Sequence, residues 1–424
     1  MKKKILIIAG RLTPAPGANV IIARNIIKEL KNRHYEVSLI SINQNEEISR
    51  ISVYENYVHV YPVKSTMFAR YLEMKRANKL SAADKVKYVF LLIARRIENI
   101  VFVLKFPNVD SSQSKAVFRT AEKLYKQEKY DCILSVFRPY SAVYAGIQMK
   151  KNHPEIISGA YYMDLISGSN KPELIPNSLY KKLCMKGDIK TFRALDFILM
   201  AKGGESIYKN KAYSGVNEKI TYTDFPVFAS GNDGKKQAES SGKIRFVYAG
   251  TLDRRYRSPE FMLNILKEAA QKTPGIVLDI YGRGDCYDII DSYKNSAGFK
   301  IVEHGMAPHE QIMETMATAD FLINISNKTQ NIIQSKIFEL FSTGKPIVNF
   351  ISNPDDISRS YFDKYPAVLN IQEWGSLWEY SDKLNEFISL EAGKQYSAEE
   401  IKKNYFENTP EHFVDMLEKL IWEG

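Results

Sequence analysis

Cysteine is scarce. The 424 residues hold three, Cys132, Cys184 and Cys286, far apart and with no Cys-x-x-Cys pair. That pattern excludes a disulfide framework and a Cys/His zinc site, and it fits a reducing cytoplasm. Three inert thiols are the plain expectation. Long apolar runs are missing too. No stretch reaches the ~18 uninterrupted apolar residues of a membrane-spanning helix. The nearest, over 88–106, is broken by Arg95, Arg96 and Glu98. The first run, Ile5 to Gly10, stops at Arg11, too short for the core of a secretion signal, so a buried first strand is expected. No Asp-x-Asp motif is present where a metal-bound diphosphate would need one. No nucleic-acid recognition module is visible either.

What is present is ordinary in amount. Hydrophobic content of 45% and charged content of 25% exclude disorder and collagen-like repeats for most of the chain. The length exceeds one typical core, so two or three domains are expected. Lysine and arginine outnumber acids by 59 to 49, a net charge of +10, which points to an acidic partner. Nucleic acid, anionic lipid and phosphorylated substrates all qualify, and composition does not choose among them.

The chain opens as strand, loop, helix, strand. Ile5 to Ala9 is continuously apolar, as a strand buried on both faces should be. A Pro/Gly loop over 13–17 follows, then apolar residues at helical spacing from Val20 to Leu30, then a strand over Val37 to Ile42. Such a unit implies a parallel sheet with right-handed crossovers. Strands over 132–136, 156–162 and 197–201 and a helix over 141–150 continue the series. Residues 229–242 are polar and Gly/Ser-rich, the expected linker. A second series follows, with strands over 244–249, 276–281, 321–325 and 346–350 and helices over 260–271, 309–317 and 335–342. The expected organisation is a first domain over 1–228, the linker over 229–242, a second domain over 243–400, and a C-terminal helix over 401–424 that crosses back to the first domain. Alternation of strand and helix makes the class α/β.

Several strand ends carry candidate chemistry. Gly17 precedes a helix, where glycine lets the backbone approach an anionic ligand, although an ordinary turn needs the same residue. Gly250 ends a strand, and Thr251, Arg254, Arg255 and Arg257 follow it. Ligands gather at carboxyl ends of parallel strands, and guanidiniums there suit a diphosphate; a solvated basic loop is the alternative. Gly282 and Gly284 form a second such turn around Arg283. From Asn331 to Val348 the chain reads as a capped helix ending at Gly344. Glu339 sits in that helix among Ile337, Phe338, Leu340 and Phe341, and a carboxylate there needs partners. Two sugar hydroxyls meet that need; so would a lysine, an arginine or water.

Taken together, these segments resemble the retaining glycosyltransferases of the GT-B fold, family 4-like, of the bacterial surface-polysaccharide type. The resemblance rests on the early strand, Gly loop and helix, on Gly250-Thr251-Leu252 with its trailing arginines, on Tyr281-Gly282-Arg283-Gly284, and on Ser335-Lys336-Ile337-Phe338-Glu339 with Gly344-Lys345-Pro346. It covers most of the chain and is strongest over about 244–350. It implies two Rossmann-like domains with parallel sheets facing across a cleft. It also implies transfer of a sugar from a UDP or GDP type nucleotide-sugar to a hydroxyl of a glycan or glycolipid acceptor. The anomeric configuration would be kept, with no metal and no other cofactor. Glu339 matches the second glutamate of an E-x7-E motif and would bind the ribose. Gln334 and Ser335 match positions whose amides meet phosphate, and Lys336 follows them. The pattern departs at Thr251, where an arginine is usual, so Arg255 or Arg257 would carry that charge. It departs again at Asn331, where the first glutamate would contact the donor sugar. A non-catalytic GT-B binding or assembly partner is the alternative, and a nucleotide-sugar epimerase a weaker one.

In the first domain, Asp164 ends a strand where the family presents a residue to the acceptor; a helix cap or loop residue is the ordinary reading. Arg138 ends another strand and is an acceptor-side candidate. From Lys64 to Lys105 there are ten Lys and Arg against three acids, interleaved with Phe68, Tyr71, Tyr88 and Phe90. A basic amphipathic helical segment over 64–106 reads as a surface for an anionic membrane, or as a solvated insert over the sheet. A cytoplasmic location, peripheral on the inner face of the plasma membrane, is expected, with no nucleic-acid partner.

Overall fold

A computed structural model describes residues 3–11, 18–42, 58–64, 66–76, 79–100, 106–108, 110–165, 175–228, 242–328, 333 and 336–423. Gly17, Asn331, Gln334, Ser335 and all of the expected linker except Gly242 lie outside them. The chain divides into two compact units, Met1–Pro226 with Pro410–Gly424, and Val227–Thr409.

The first unit is a seven-stranded parallel sheet in the order β3-β2-β1-β4-β5-β6-β7. Its strands are β1 (Lys4–Ala9), β2 (Glu36–Ile42), β3 (His59–Val63), β4 (Cys132–Phe137), β5 (Ile157–Tyr162), β6 (Phe197–Ala201) and β7 (Ile220–Thr223). The central strand β1 pairs Ile5 with Val37 on one side and with Cys132 on the other. It is buried on both faces because crossover helices cover both, which is why its sequence is continuously apolar. The helices are α1 (Ala18–Asn32), α2 (Met67–Arg76), α3 (Ala82–Ile100), α4 (Ser111–Gln127), α5 (Tyr140–Asn152), α6 (Asn177–Arg193) and the short α7 (Glu205–Tyr208). Within the basic segment the described residues include two successive helices, α2 and α3. None of the described helices is long and apolar enough to cross a membrane.

The second unit is a six-stranded parallel sheet in the order β10-β9-β8-β11-β12-β13. It comprises β8 (Ile244–Ala249), β9 (Ile276–Tyr281), β10 (Phe299–Gly305), β11 (Phe321–Ile325), β12 (Ile347–Ile351) and β13 (Val368–Gln372). Between and after them run α8 (Glu260–Lys272), α9 (Tyr287–Tyr293), α10 (His309–Thr318), α11 (Lys336–Ser342), α12 (Arg359–Phe362), α13 (Leu377–Glu391) and α14 (Ala398–Asn404). Its core stacks Phe246 on Phe321 at 4.9 Å beneath Leu263, Leu266, Leu384 and Ile388.

The C-terminal stretch differs from the single helix expected over 401–424. Helix α14 belongs to the second unit, and α15 (Pro410–Trp422) belongs to the first. The break falls at buried Asn408 and Thr409. The Asn408 carbonyl accepts from the amides of Val227 and Phe228 at 2.9 and 3.1 Å, which holds the chain out of helix until Pro410 restarts it. Helix α15 packs on α1. Arg33 donates to Glu418 at 2.7 Å and to the Glu411 carbonyl at 2.9 Å, and it pairs with Asp415. Tyr35 donates to Glu418, and Trp422 donates to the Tyr35 hydroxyl.

Two buried groups stand apart from this pattern. All three cysteines are buried, and burial pushes the Cys184 and Cys286 thiols up to about 11. On α6, Asp188 is 2% exposed and accepts from the Tyr208 hydroxyl at 3.0 Å. Its other oxygen has no hydrogen-bond partner among the described residues. Burial raises this carboxyl to about 7, against the pull of Tyr208 and Tyr213.

Candidate functional site

The loops after β8 and β9 pair with one another. Gly250 donates to the Tyr281 carbonyl at 2.8 Å, Leu252 to the Arg283 carbonyl at 3.0 Å, and Asp285 back to the Leu252 carbonyl at 3.2 Å. This contact dictates the glycines. A Cβ on Gly282 would lie 1.9 Å from the Gly250 oxygen, and φ there is +142°. A Cβ on Gly284 would lie 1.8 Å from the Leu252 oxygen. Loop packing alone therefore demands both residues. Gly282→Ala is expected to cost about 3 kcal/mol, read as a lower urea midpoint for the second unit.

Asp253 then sets where the three arginines go. Its carboxylate accepts from the amides of Arg255 and Tyr256, and its carbonyl accepts from the Arg257 amide at 2.7 Å. The resulting turn sends the three side chains apart. Arg254 is tied to Asp288 and to the Asp285 carbonyl. Arg255 is exposed and lies over the Tyr256 ring at 5.3 Å. Arg257 is half-buried, and its Nε donates to Asn327 Oδ1 at 2.7 Å.

Arg257 lines a small, partly open recess at the carboxyl ends of β8 and β11, together with Tyr248, Ala249, Asn324, Lys336 and Glu339. Lys336 Nζ donates to the Ala249 carbonyl at 3.3 Å. Glu339 enters from α11, whose other face buries Ile337, Phe338, Leu340 and Phe341. Among the described residues its carboxylate has no hydrogen-bonded partner. Burial raises the Glu339 carboxyl above its ordinary range, against the pull of His309 and Lys336. Tyr248 lies beside Arg257, and burial pushes its phenol up to about 12. A half-buried carboxylate without donors among the described residues, next to two cations and open space, suits a ligand carrying hydroxyls and an anion.

A second small recess lies beside the glycine turns. Its floor is Leu252, Ile280, Cys286 and Ile290, and Gly250, Gly282, Arg283 and Gly284 are at its edge. The structure thus brings together Lys336, Glu339 and Arg257 in one recess, and Gly250, Gly282 and Gly284 in the other. Thr251 is exposed between them in sequence and lines neither, and the same holds for Arg255.

In the first unit, Arg138 and Asp164 follow adjacent strands β4 and β5 and approach each other, Nε to Oδ2, at 3.8 Å. Arg138 also donates to the Leu165 carbonyl at 3.5 Å. Asp164 is exposed. The two residues singled out separately in the sequence form one pair.

Sequence reasoning missed Tyr248, Asn324, Asn327 and His309. Asn324 had a legible signal. It stands in register with Asn349 and Asn370 on the next two strands. Their amides form a ladder, Asn324 to Asn349 at 2.8 Å and Asn349 to Asn370 at 2.9 Å. An asparagine inside each of the two otherwise apolar runs β11 and β12 marks the start of that ladder.

No protein-family model matches the chain, and no curated protein matches it. Solved structures do. The chain is similar to a TarM variant of S. aureus in complex with fondaparinux, alpha-GlcNAc-glycerol and UDP, with TM-score 0.61 and 11% identity over 99% of this chain and 100% of that one. It is similar to a glycosyltransferase from Rickettsia africae ESF-5, with TM-score 0.59 and 12% identity over 100% of both chains. It is also similar to the N-terminal domain of trehalose-6-phosphate phosphatase from Candida albicans, with TM-score 0.57 and 11% identity over 100% of this chain and 97% of that one. At such identities the likeness is one of architecture. Two parallel-sheet α/β units matched over whole chains give this protein the GT-B fold.

Proposed function

We propose that the chain is a glycosyltransferase, moving a sugar from a nucleotide-sugar donor of the UDP or GDP type to a hydroxyl acceptor. One observation carries this reading: the Glu339 carboxylate, with no hydrogen-bonded partner among the described residues, shares a recess with Arg257 and Lys336. Two of the three similar structures described above are glycosyltransferases or a TarM–UDP complex, which supports the reading. The third is the N-terminal domain of a protein named as a phosphatase, so the fold alone does not select the activity.

In this reading Glu339 accepts hydrogen bonds from the ribose hydroxyls. Arg257, with Lys336, stabilises the charge that develops on the leaving diphosphate, without a metal. The bond from the anomeric carbon to the diphosphate oxygen breaks as its bond to the acceptor oxygen forms. The acceptor proton passes to the leaving phosphate, and the configuration at the anomeric carbon is retained. Asp164 and Arg138 are assigned to the acceptor, a lipid-linked or growing polysaccharide. Gly17, Asn331, Gln334 and Ser335 keep the donor roles that the resemblance implies. The reading includes a peripheral contact with an anionic membrane in the cytoplasm.

Arg257→Ala is expected to lower turnover about 100-fold and donor affinity much less, because its charge is matched chiefly in the transition state. Calorimetry with UDP- and GDP-sugars, paired with transfer assays, checks this. Wild-type transfer by both Arg257→Ala and Glu339→Ala would remove the assignment. The exposed Thr251, standing where the family has an arginine, favours a second reading as a non-catalytic binding partner. Absence of saturable heat with any nucleotide-sugar would select it.

A further inference from the structure

Helix α3 has two unlike sides. Its start is fixed by a reciprocal cap: Ser81 donates from its amide and hydroxyl to Asp84 at 3.2 and 2.6 Å, and the Asp84 amide donates to the Ser81 hydroxyl at 3.2 Å. Tyr88, 7% exposed, marks the inner side, where Lys75 of α2 lies 5.1 Å from its ring centre. Leu91, nearly one turn on, is half-buried. The opposite side carries Val86, Val89, Phe90 and Ile93, exposed by 57, 53, 68 and 50%. Their spacing of three, four and seven residues makes them one stripe. At about 100° per residue, Lys85 and Lys87 fall about a quarter turn to either side of it, and both are exposed.

Elsewhere in the described residues the large exposed apolar side chains are more scattered, at Leu179, Met306, Leu390 and Phe406 for example. On α3 they are contiguous, which marks an interaction surface. Charge decides its occupant. The 64–105 segment holds ten Lys and Arg against three acids, and the whole chain is +10. A second copy meeting this stripe through a two-fold contact would set Lys85 and Lys87 against the same basic surface. An anionic bilayer accepts both features. The stripe enters the boundary between headgroups and acyl chains, while the lysine stems lie along it with their ammonium groups at lipid phosphates.

We infer that α3 lies flat on an anionic membrane, with Val86, Val89, Phe90 and Ile93 in the acyl boundary and Lys85 and Lys87 at the headgroup phosphates. This rests on the membrane part of the reading above and gives it a surface; it does not depend on sugar transfer.

The test uses the full chain and vesicle flotation. Vesicles of phosphatidylglycerol mixed equally with phosphatidylcholine should bind it at least about tenfold more tightly than phosphatidylcholine alone. Val89→Asp combined with Phe90→Asp should lose about tenfold or more of that binding. Lys85→Glu with Lys87→Glu should abolish the preference for anionic vesicles. Phe90→Trp should retain binding, and its emission should shift to the blue only when anionic vesicles are added. Unchanged binding by the double aspartate variant, or no binding of the wild type to anionic vesicles, overturns the inference. A wild-type dimer without vesicles that the aspartate pair turns into a monomer would assign the stripe to a second copy and also overturn it. Nucleotide-sugar binding heat should be the same in all these variants. Vesicle binding without donor heat would therefore count against sugar transfer alone, and donor heat without vesicle binding against the membrane surface alone.

Discussion

Glu339→Gln is expected to weaken nucleotide-sugar binding by about 30- to 100-fold while making the second unit more stable. Glutamine keeps the shape and one acceptor oxygen but removes the charge. Hydrogen bonds to an ionised acceptor contribute about 1.5–3 kcal/mol and neutral ones about 0.5–1.5, so two ribose hydroxyls lose about 2–3 kcal/mol between them. The stability change has the opposite sign. The Glu339 carboxyl sits above its ordinary range because burial disfavours its ionised form. The ionised carboxylate therefore costs the folded protein more than nearby His309 and Lys336 return, and the amide removes that cost. Wild-type affinity should also fall on acidification earlier than an ordinary glutamate would allow, since the carboxyl takes up its proton at higher pH. The glutamine variant should lack that limb. Calorimetry across pH with matched thermal unfolding reads all three effects, and an unchanged affinity would detach Glu339 from the donor.

Asp188 should dominate the pH dependence of the first unit. Its carboxyl is raised from the ordinary 3.8 to about 7 by burial, with no cation paired to it among the described residues. The folded state thus keeps a proton that the unfolded chain has already released. Stability is fully present below the unfolded value, falls as pH rises towards about 7, and levels off above it. The difference amounts to at most about 4 kcal/mol, three pKa units at 1.36 kcal/mol each. The surrounding Tyr140, Tyr162, Tyr208, Tyr213 and Cys184 all hold their protons beyond this range, because burial raises each of them. Asp188→Asn should flatten the profile and, above about pH 7, raise the urea midpoint over the wild type. Parallel profiles for the two proteins would show that another group sets the slope.

The strands that the sequence revealed are the interior ones. Residues of β1, β2, β4, β5 and β6, and of β9, β11 and β12, are largely buried on both faces and read as mainly apolar runs, while β8, half of it only partly covered, shows through Phe246, Val247 and Tyr248. The four that escaped, β3, β7, β10 and β13, are the sheet edges. Half their residues or more face outward or are only partly covered, and β3 contains Pro62, so no continuous run forms. The site divides in the same way. Glu339 was legible because an acid among Ile337, Phe338, Leu340 and Phe341 contradicts its surroundings. Which arginine joins it was not legible, because that depends on the Asp253 turn. Nor was the pairing of Arg138 with Asp164, which needs the adjacency of β4 and β5.

The split membership of the C-terminus bears on how this protein can be dissected. Residues 227–409 form a single uninterrupted piece, suited to independent expression. A fragment stopping at 226 lacks α15, which supplies Phe413 against Tyr161 and the acids that hold Arg33. Supplying 410–424 as a separate peptide should restore that fragment, so the first unit lends itself to split-protein reconstitution, with the peptide as its switch.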